Sequence, residues 1–153
     1  MRLSAATRAF LMLLLALLLA AAVGCAGGSG AVGSGGVKWL YDSDEALSRA
    51  QAANKPIVIN FYTDVCPACR TMDATTFSNG NVSALLNADF ICLKSNAGTT
   101  NLQSGYGIRA VPTTVFNVPY GYGKDYEIVR IVGAAPPAQF YPLAQAVLEE
   151  WRR

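Results

Sequence analysis

Cys66 and Cys69 flank Pro67 and Ala68 directly after the apolar run Ile57 to Tyr62, and that spacing is suited to thiol–disulfide chemistry. Thiols at i and i+3 at the start of a helix lie on nearly one face and can close a small disulfide. The free N–H groups and the dipole of a helix N-terminus favour a thiolate on the first of them. The pair therefore reads as a redox couple in which Cys66 attacks and Cys69 resolves. The same spacing can be half of a zinc site, but the chain has 4 Cys, no His and no second Cys-x-x-Cys to complete four ligands. Copper binding meets the same shortage. Haem attachment needs a His where Arg70 stands. The expectation is a protein with no metal and no cofactor beyond the Cys66–Cys69 disulfide itself. Arg70 reads as a solvated helix charge, and Cys92, inside a strand-like run, as a small buried hydrophobe.

To hold the thiols this way, a strand must end and a helix begin at the same place. Ile57 to Tyr62 is β-branched and aromatic, apolar on both faces except at Asn60, and reads as a central strand. Pro67 suits the first turn of a helix that runs to about Thr75. Upstream, Asp42 and Glu45 form a capping pattern for a helix carrying Ala46, Leu47, Ala50 and Ala53, stopped by Asn54-Lys55-Pro56. Downstream, Asn79-Gly80 is a break, and Asn81 is expected to cap a helix through Asn87. A strand is expected from Phe90 to Lys94, a short helix from Asn101 to Tyr106, and strands Thr113 to Val118 and Glu127 to Val132 joined as a hairpin. Phe140, Leu143, Ala144, Val147, Leu148 and Trp151 then line one face of a closing helix. This order predicts an α/β domain: a central mixed sheet flanked by helices on both faces. Tyr120 and Tyr122, at the hairpin tip, are either a partner contact or an ordinary exposed loop.

The N-terminal third predicts location. Arg2 and Arg8 precede the apolar run Phe10 to Val23, too short for a stable bilayer span and typical of an export signal. Ala22-Val23-Gly24-Cys25 resembles the lipobox of bacterial lipoproteins, with Ala22 where Leu is commonest. Residues 1–24 are thus expected to be removed and Cys25 to carry the lipid; ordinary signal-peptidase cleavage would leave Cys25 a free thiol. Ala26 after the Cys leans toward an outer membrane. Residues 25–36 form a Gly/Ser-rich flexible tether, and 37–153 form one domain large enough for its own core. An exported compartment permits stable disulfides. Net charge is +2 with no long basic run, so nothing in the composition selects nucleic acid.

Cys66-Pro67-Ala68-Cys69 after the first long strand, together with Val111-Pro112-Thr113 before a later one, resembles the thioredoxin superfamily over about Trp39 to Trp151. Within it, Lys55 to Cys69 and the following Thr76-Phe77-Ser78 are most similar to the periplasmic C-terminal domain of the membrane reductase DsbD and to related exported proteins. The resemblance implies the thioredoxin fold, a cis peptide bond before Pro112, and a substrate-binding role for the backbone of Val111 beside Pro112. Two positions depart from the pattern. Asn60 stands where a buried acid implicated in proton transfer is usual, and asparagine cannot serve as a base. Val65 stands where Trp is common, which alters the surface offered to a partner.

These readings combine into an exported, membrane-tethered thiol–disulfide oxidoreductase in the bacterial cell envelope. It is expected to reduce disulfide-containing exported proteins and to draw on a membrane electron donor of the DsbD type. The alternatives are an oxidase or isomerase on the same scaffold, and a non-catalytic binding lipoprotein whose disulfide is structural.

Overall fold

In the computed structural model the described residues are 35–153. The expected signal segment, Cys25 and all but the last two residues of the expected tether lie outside them. In chain order the elements are α1 (Ser43–Ala53), β1 (Ile57–Tyr62), α2 (Pro67–Thr75), α3 (Gly80–Asp89), β2 (Ile91–Asn96), α4 (Leu102–Tyr106), β3 (Thr113–Asn117), β4 (Glu127–Val132) and α5 (Pro137–Trp151). The sheet order is β2-β1-β3-β4, with β1 and β2 parallel and both β1–β3 and β3–β4 antiparallel. This is the expected mixed sheet, with the hairpin at one edge.

Strand alternation assigns each face of β1 to its own core. Val58 points into a compartment with Met72, Phe77, Leu86, Phe116 and Phe140, beneath α2, α3 and α5. Ile57, Ile59 and Phe61 point the other way, against Ala46, Ala50 and Tyr106. Phe116 lies 5.8 Å from both Phe90 and Phe140, ring centre to ring centre, within the distance at which aromatic pairs attract. Because β1 is buried on both sides, every side chain on it from Ile57 to Phe61 is solvent-excluded, including Asn60.

Capping decides where helices start. Asp42 Oδ1 accepts the Glu45 backbone N–H at 2.9 Å, as the pattern predicts, while the Glu45 carboxylate reaches Arg49 at 2.6 Å rather than returning to the cap. In the next case the expectation is corrected. Asn79, not Asn81, caps α3, its Oδ1 accepting the N–H groups of Asn81 and Val82. The Asn79 N–H is itself held by Thr76 O, so the turn leaving α2 sets the cap two residues earlier than expected. The helix also runs two residues past Asn87, to Asp89. Phe90 is accordingly a buried junction whose N–H bonds Leu86 O, and the strand extends from Ile91 to Asn96 rather than from Phe90 to Lys94.

The segment before α1 is part of the domain. Val37 N–H donates to Phe77 O and Leu40 N–H to Cys92 O, and Lys94 N–H returns to Leu40 O, adding a parallel bridge outside β2. Asn87 Nδ2 also donates to Gly36 O.

Candidate functional site

The dithiol sits where β1 leaves the sheet. After Tyr62 the chain turns, Cys66 N–H bonds Thr63 O, and Cys66 becomes the N-cap of α2 with extended backbone at φ −93° and ψ 104°. Pro67 follows at the first helical position, where no N–H is needed. The cap ligand is sulfur: Cys66 Sγ accepts the Cys69 backbone N–H at 3.1 Å. Cys66 and Cys69 are joined as a disulfide with Cα atoms 5.3 Å apart. In this oxidised form exposure hardly distinguishes them, at 7% and 5%. The hydrogen bond does, because an N–H aimed at Cys66 stabilises charge on that sulfur once the disulfide opens.

Around the pair the surface is apolar and open. Val65 is 85% exposed and Ala68 is exposed beside it. Arg70 donates to Asp64 O at 3.3 Å, and Asn96 Nδ2 to Asp64 Oδ2, so the charges here tie the turn together rather than face the sulfurs. The Val111–Pro112 peptide is cis, as the resemblance implies. Register explains its position: Thr113 pairs with Phe61, which puts Pro112 level with the end of β1, where the dithiol turn begins. Pro112 is buried and its carbonyl accepts the Gly133 N–H at 2.8 Å, while Thr113 Oγ1 donates to Ala110 O. Among the described residues, nothing hydrogen-bonds the backbone N–H or C=O of Val111. Beside it lies a depression of about 280 Å³ lined by Thr63, Ala97, Gln103, Ile108, Arg109 and Val111. A larger one, about 370 Å³, lies against Lys55 and Trp151 at the opposite end of the sheet and has no connection with the thiols.

Within β1, Asn60 is 1% exposed and its Nδ2 donates to Thr114 Oγ1 at 3.0 Å. The sequence marked Asn60 but not Thr114, since only the β1–β3 register shows that the two are opposite each other. It also missed the pair formed by Lys94 of β2 and Asp73 of α2, at 2.6 Å, with the ammonium over the rings of Trp39 and Tyr62. Cys92 takes no part in the site. It is 4% exposed, contacts Leu86 O at 3.7 Å, and burial pushes its thiol up to about 12, so it stays protonated at neutral pH. Among the described residues no three His, Cys, Asp or Glu side chains cluster as metal ligands.

A dithiol on the N-terminus of a helix, facing a cis-proline loop across the end of a mixed sheet, defines a thiol–disulfide oxidoreductase of the thioredoxin fold. Comparison with known proteins agrees: residues 38–119 match the thioredoxin-like family, and the chain belongs to it. Over 102 residues, 63% of the chain, it is 31% identical to the thiol:disulfide interchange protein DsbD of Ralstonia nicotianae, and over 96 residues it is 30% identical to that of Salmonella typhi. The match spans only 16% of those relatives' length. A thioredoxin from Thermus thermophilus superposes with a TM-score of 0.65 at 32% identity, covering 74% of this chain and 88% of that one. A DsbH oxidoreductase superposes at 0.63 with 16% identity, covering 78% of this chain and 89% of that one, and supports the fold alone.

Proposed function

We propose that the protein is an exported, membrane-tethered reductase of protein disulfides. Cys66 attacks a partner disulfide as a thiolate, forming a mixed disulfide and releasing the partner's other sulfur as a thiolate that takes a proton. Cys69 loses its proton, attacks Cys66 Sγ and closes the Cys66–Cys69 disulfide, expelling the second partner thiolate. Two electrons pass from the dithiol to the partner. Val111 offers its uncommitted backbone groups to an extended segment of that partner, with buried Pro112 shaping the rim and Pro67 and Ala68 setting the spacing of the thiols.

The observation that carries this reading is the Cys69 N–H on Cys66 Sγ, next to an unpaired stretch of backbone at Val111. It supports Cys66 as the attacking sulfur and the Val111 backbone as a place for its substrate, neither of which a purely structural disulfide requires. The tether follows from the export signal and the lipobox-like Cys25, which would hold the domain at the envelope surface facing the periplasm or the exterior. Similarity to a domain of DsbD supports a membrane electron donor of that type and exported disulfide proteins as substrates.

The reduction potential of the Cys66–Cys69 couple, measured by equilibration with dithiothreitol and thiol trapping, tests the direction. A value of ~−270 mV supports a reductase, whereas one of ~−120 mV makes the protein an oxidant. Cys66→Ser should abolish exchange; full activity in that variant would return the disulfide to a structural role. Mass spectrometry of the mature N-terminus, expected to show acylated Cys25, tests the anchor.

A further inference from the structure

The depression of about 280 Å³ beside the cis-proline loop has walls of two chemical kinds. Ala97, Ile108 and Val111 are apolar, whereas the polar lining groups are Thr63, Gln103 and Arg109, with no carboxylate among them. Its position links it to the exchange steps. Thr63 belongs to the dithiol turn, where its carbonyl accepts the Cys66 N–H, and Val111 carries the backbone groups left unpaired beside Pro112. The depression therefore runs from the turn that holds the attacking sulfur to the loop on which a partner segment would lie.

Arg109 differs from the other arginines. Arg49, Arg130, Arg152 and Arg153 each meet a carboxylate, and Arg70 donates to Asp64 O. Among the described residues the exposed Arg109 guanidinium has neither kind of partner. The acid of the dithiol turn, Asp64, is not part of the lining, and its carboxylate is engaged by Asn96 Nδ2 at 3.1 Å. Gln103 acts in the same sense: its Oε1 accepts the Thr100 hydroxyl at 3.3 Å, which leaves its Nε2 donors without an acceptor among the described residues. Free donors around one cation, with no acid beside them, are complementary to a carboxylate.

We propose that this depression is a specificity subsite for an acidic side chain: the protein favours partner disulfides in which an Asp or Glu stands within two residues of the cysteine that Cys66 attacks. A segment extended along Val111 turns alternate side chains toward the protein, and the one over the depression meets Arg109. This preference runs against intrinsic reactivity. A carboxylate beside a disulfide raises the pKa of the departing thiol and slows its exchange with an ordinary thiolate, whereas the Arg109 cation offsets that charge in the bound segment. The inference rests on the exchange reading given above and names the substrates it favours.

The test mixes the reduced full chain with disulfide-linked peptide dimers that differ only in carrying Glu, Gln or Lys, placed in turn at each of the two positions on either side of the cysteine. Oxidation of the protein is followed by acid quench and mass spectrometry, and each rate is divided by that of the same peptide with dithiothreitol. At one or more positions Glu should exceed Gln by about fivefold on this scale, the size of one charge pair at a partly exposed site, with Lys slower than both. Arg109→Gln should bring the Glu-to-Gln ratio close to one, and Arg109→Glu should invert the order of Glu and Lys. Arg70→Gln, which removes a cation outside the depression, should keep the ratio. Equal scaled rates for the three peptides at every position, or a Glu preference that persists in Arg109→Gln, would overturn the inference and leave the exchange reading intact. So would an equal loss of preference in Arg70→Gln and Arg109→Gln, which would mean attraction by overall charge. A wild-type protein that exchanges with none of the peptides would instead sink the exchange reading, and this inference with it.

Discussion

Asn60 stands where the resemblance leads one to expect a buried acid, and its setting predicts what introducing one would do. Asn60→Asp replaces a neutral amide by a carboxylate at a site 1% exposed. The amide donor to Thr114 Oγ1 is lost, although the threonine hydroxyl can donate to the new carboxylate in its place. Burial raises the pKa of such an acid, so the folded state holds the proton more tightly than the unfolded chain. The variant should match the wild type in stability below the ordinary Asp pKa of about 4 and fall behind as pH rises past it, by roughly 1–3 kcal/mol at neutral pH. Urea denaturation of both proteins at acidic and neutral pH measures this; equal stability at the two values would mean the carboxylate is hydrated where the amide is not. Cys66, Cys69 and Pro112 could be read as a site because their chemistry and spacing are local. Thr114 could not, because a threonine in a strand signals nothing until the strand opposite is known.

At the scale of elements, the caps carry the least ambiguous energies. Asn79 satisfies two N–H groups at the start of α3, and Asn79→Ala should lower stability by about 1 kcal/mol, measured as a lower denaturation midpoint with unchanged m-value. Asn81→Ala, at the position the sequence favoured, should change it far less. The misplacement has a physical source. In Asn79-Gly80-Asn81 either asparagine is chemically able to cap, and the choice falls to the Thr76–Asn79 turn that ends the preceding helix. The strand after α3 was displaced for a related reason: Phe90 has strand propensity, but its N–H is claimed by Leu86 O and its ring by Phe116. The longer signals held. Ile57–Tyr62, the hairpin strands and the closing helix all formed, because periodicity over many residues outweighs a single competing bond.

For the molecule as a whole, the buried titratable groups predict a weakness at alkaline pH. Burial moves Cys92 from 9.0 to about 12 and Tyr106 from 10.0 to about 12. Tyr122 is raised as well, by burial first and by its neighbour Tyr106 second. With folded pKa values above the unfolded ones, these contributions are complete below about pH 9 and are lost as pH climbs toward 12. Stability should be flat through neutrality and then decline, by up to about 1.4 kcal/mol per pH unit for each such group. Denaturation midpoints collected from neutral to alkaline pH will show it, and Cys92→Ala should flatten the onset near pH 9; an unchanged onset would remove Cys92 from the explanation.

What the sequence determined by itself was whatever depends on neighbours along the chain: the dithiol and its helix, the alternation that makes β1 central, and the apolar face of the last helix. Tertiary structure alone decided which groups meet across the sheet. Register set Thr114 against Asn60, brought Pro112 level with the end of β1 and left the Val111 backbone free beside the dithiol. A separate packing choice drew Lys94 to Asp73 between two aromatic rings. The reason is that strand pairing is settled by burial of all side chains on both faces at once, a sum over distant residues that no local spacing encodes.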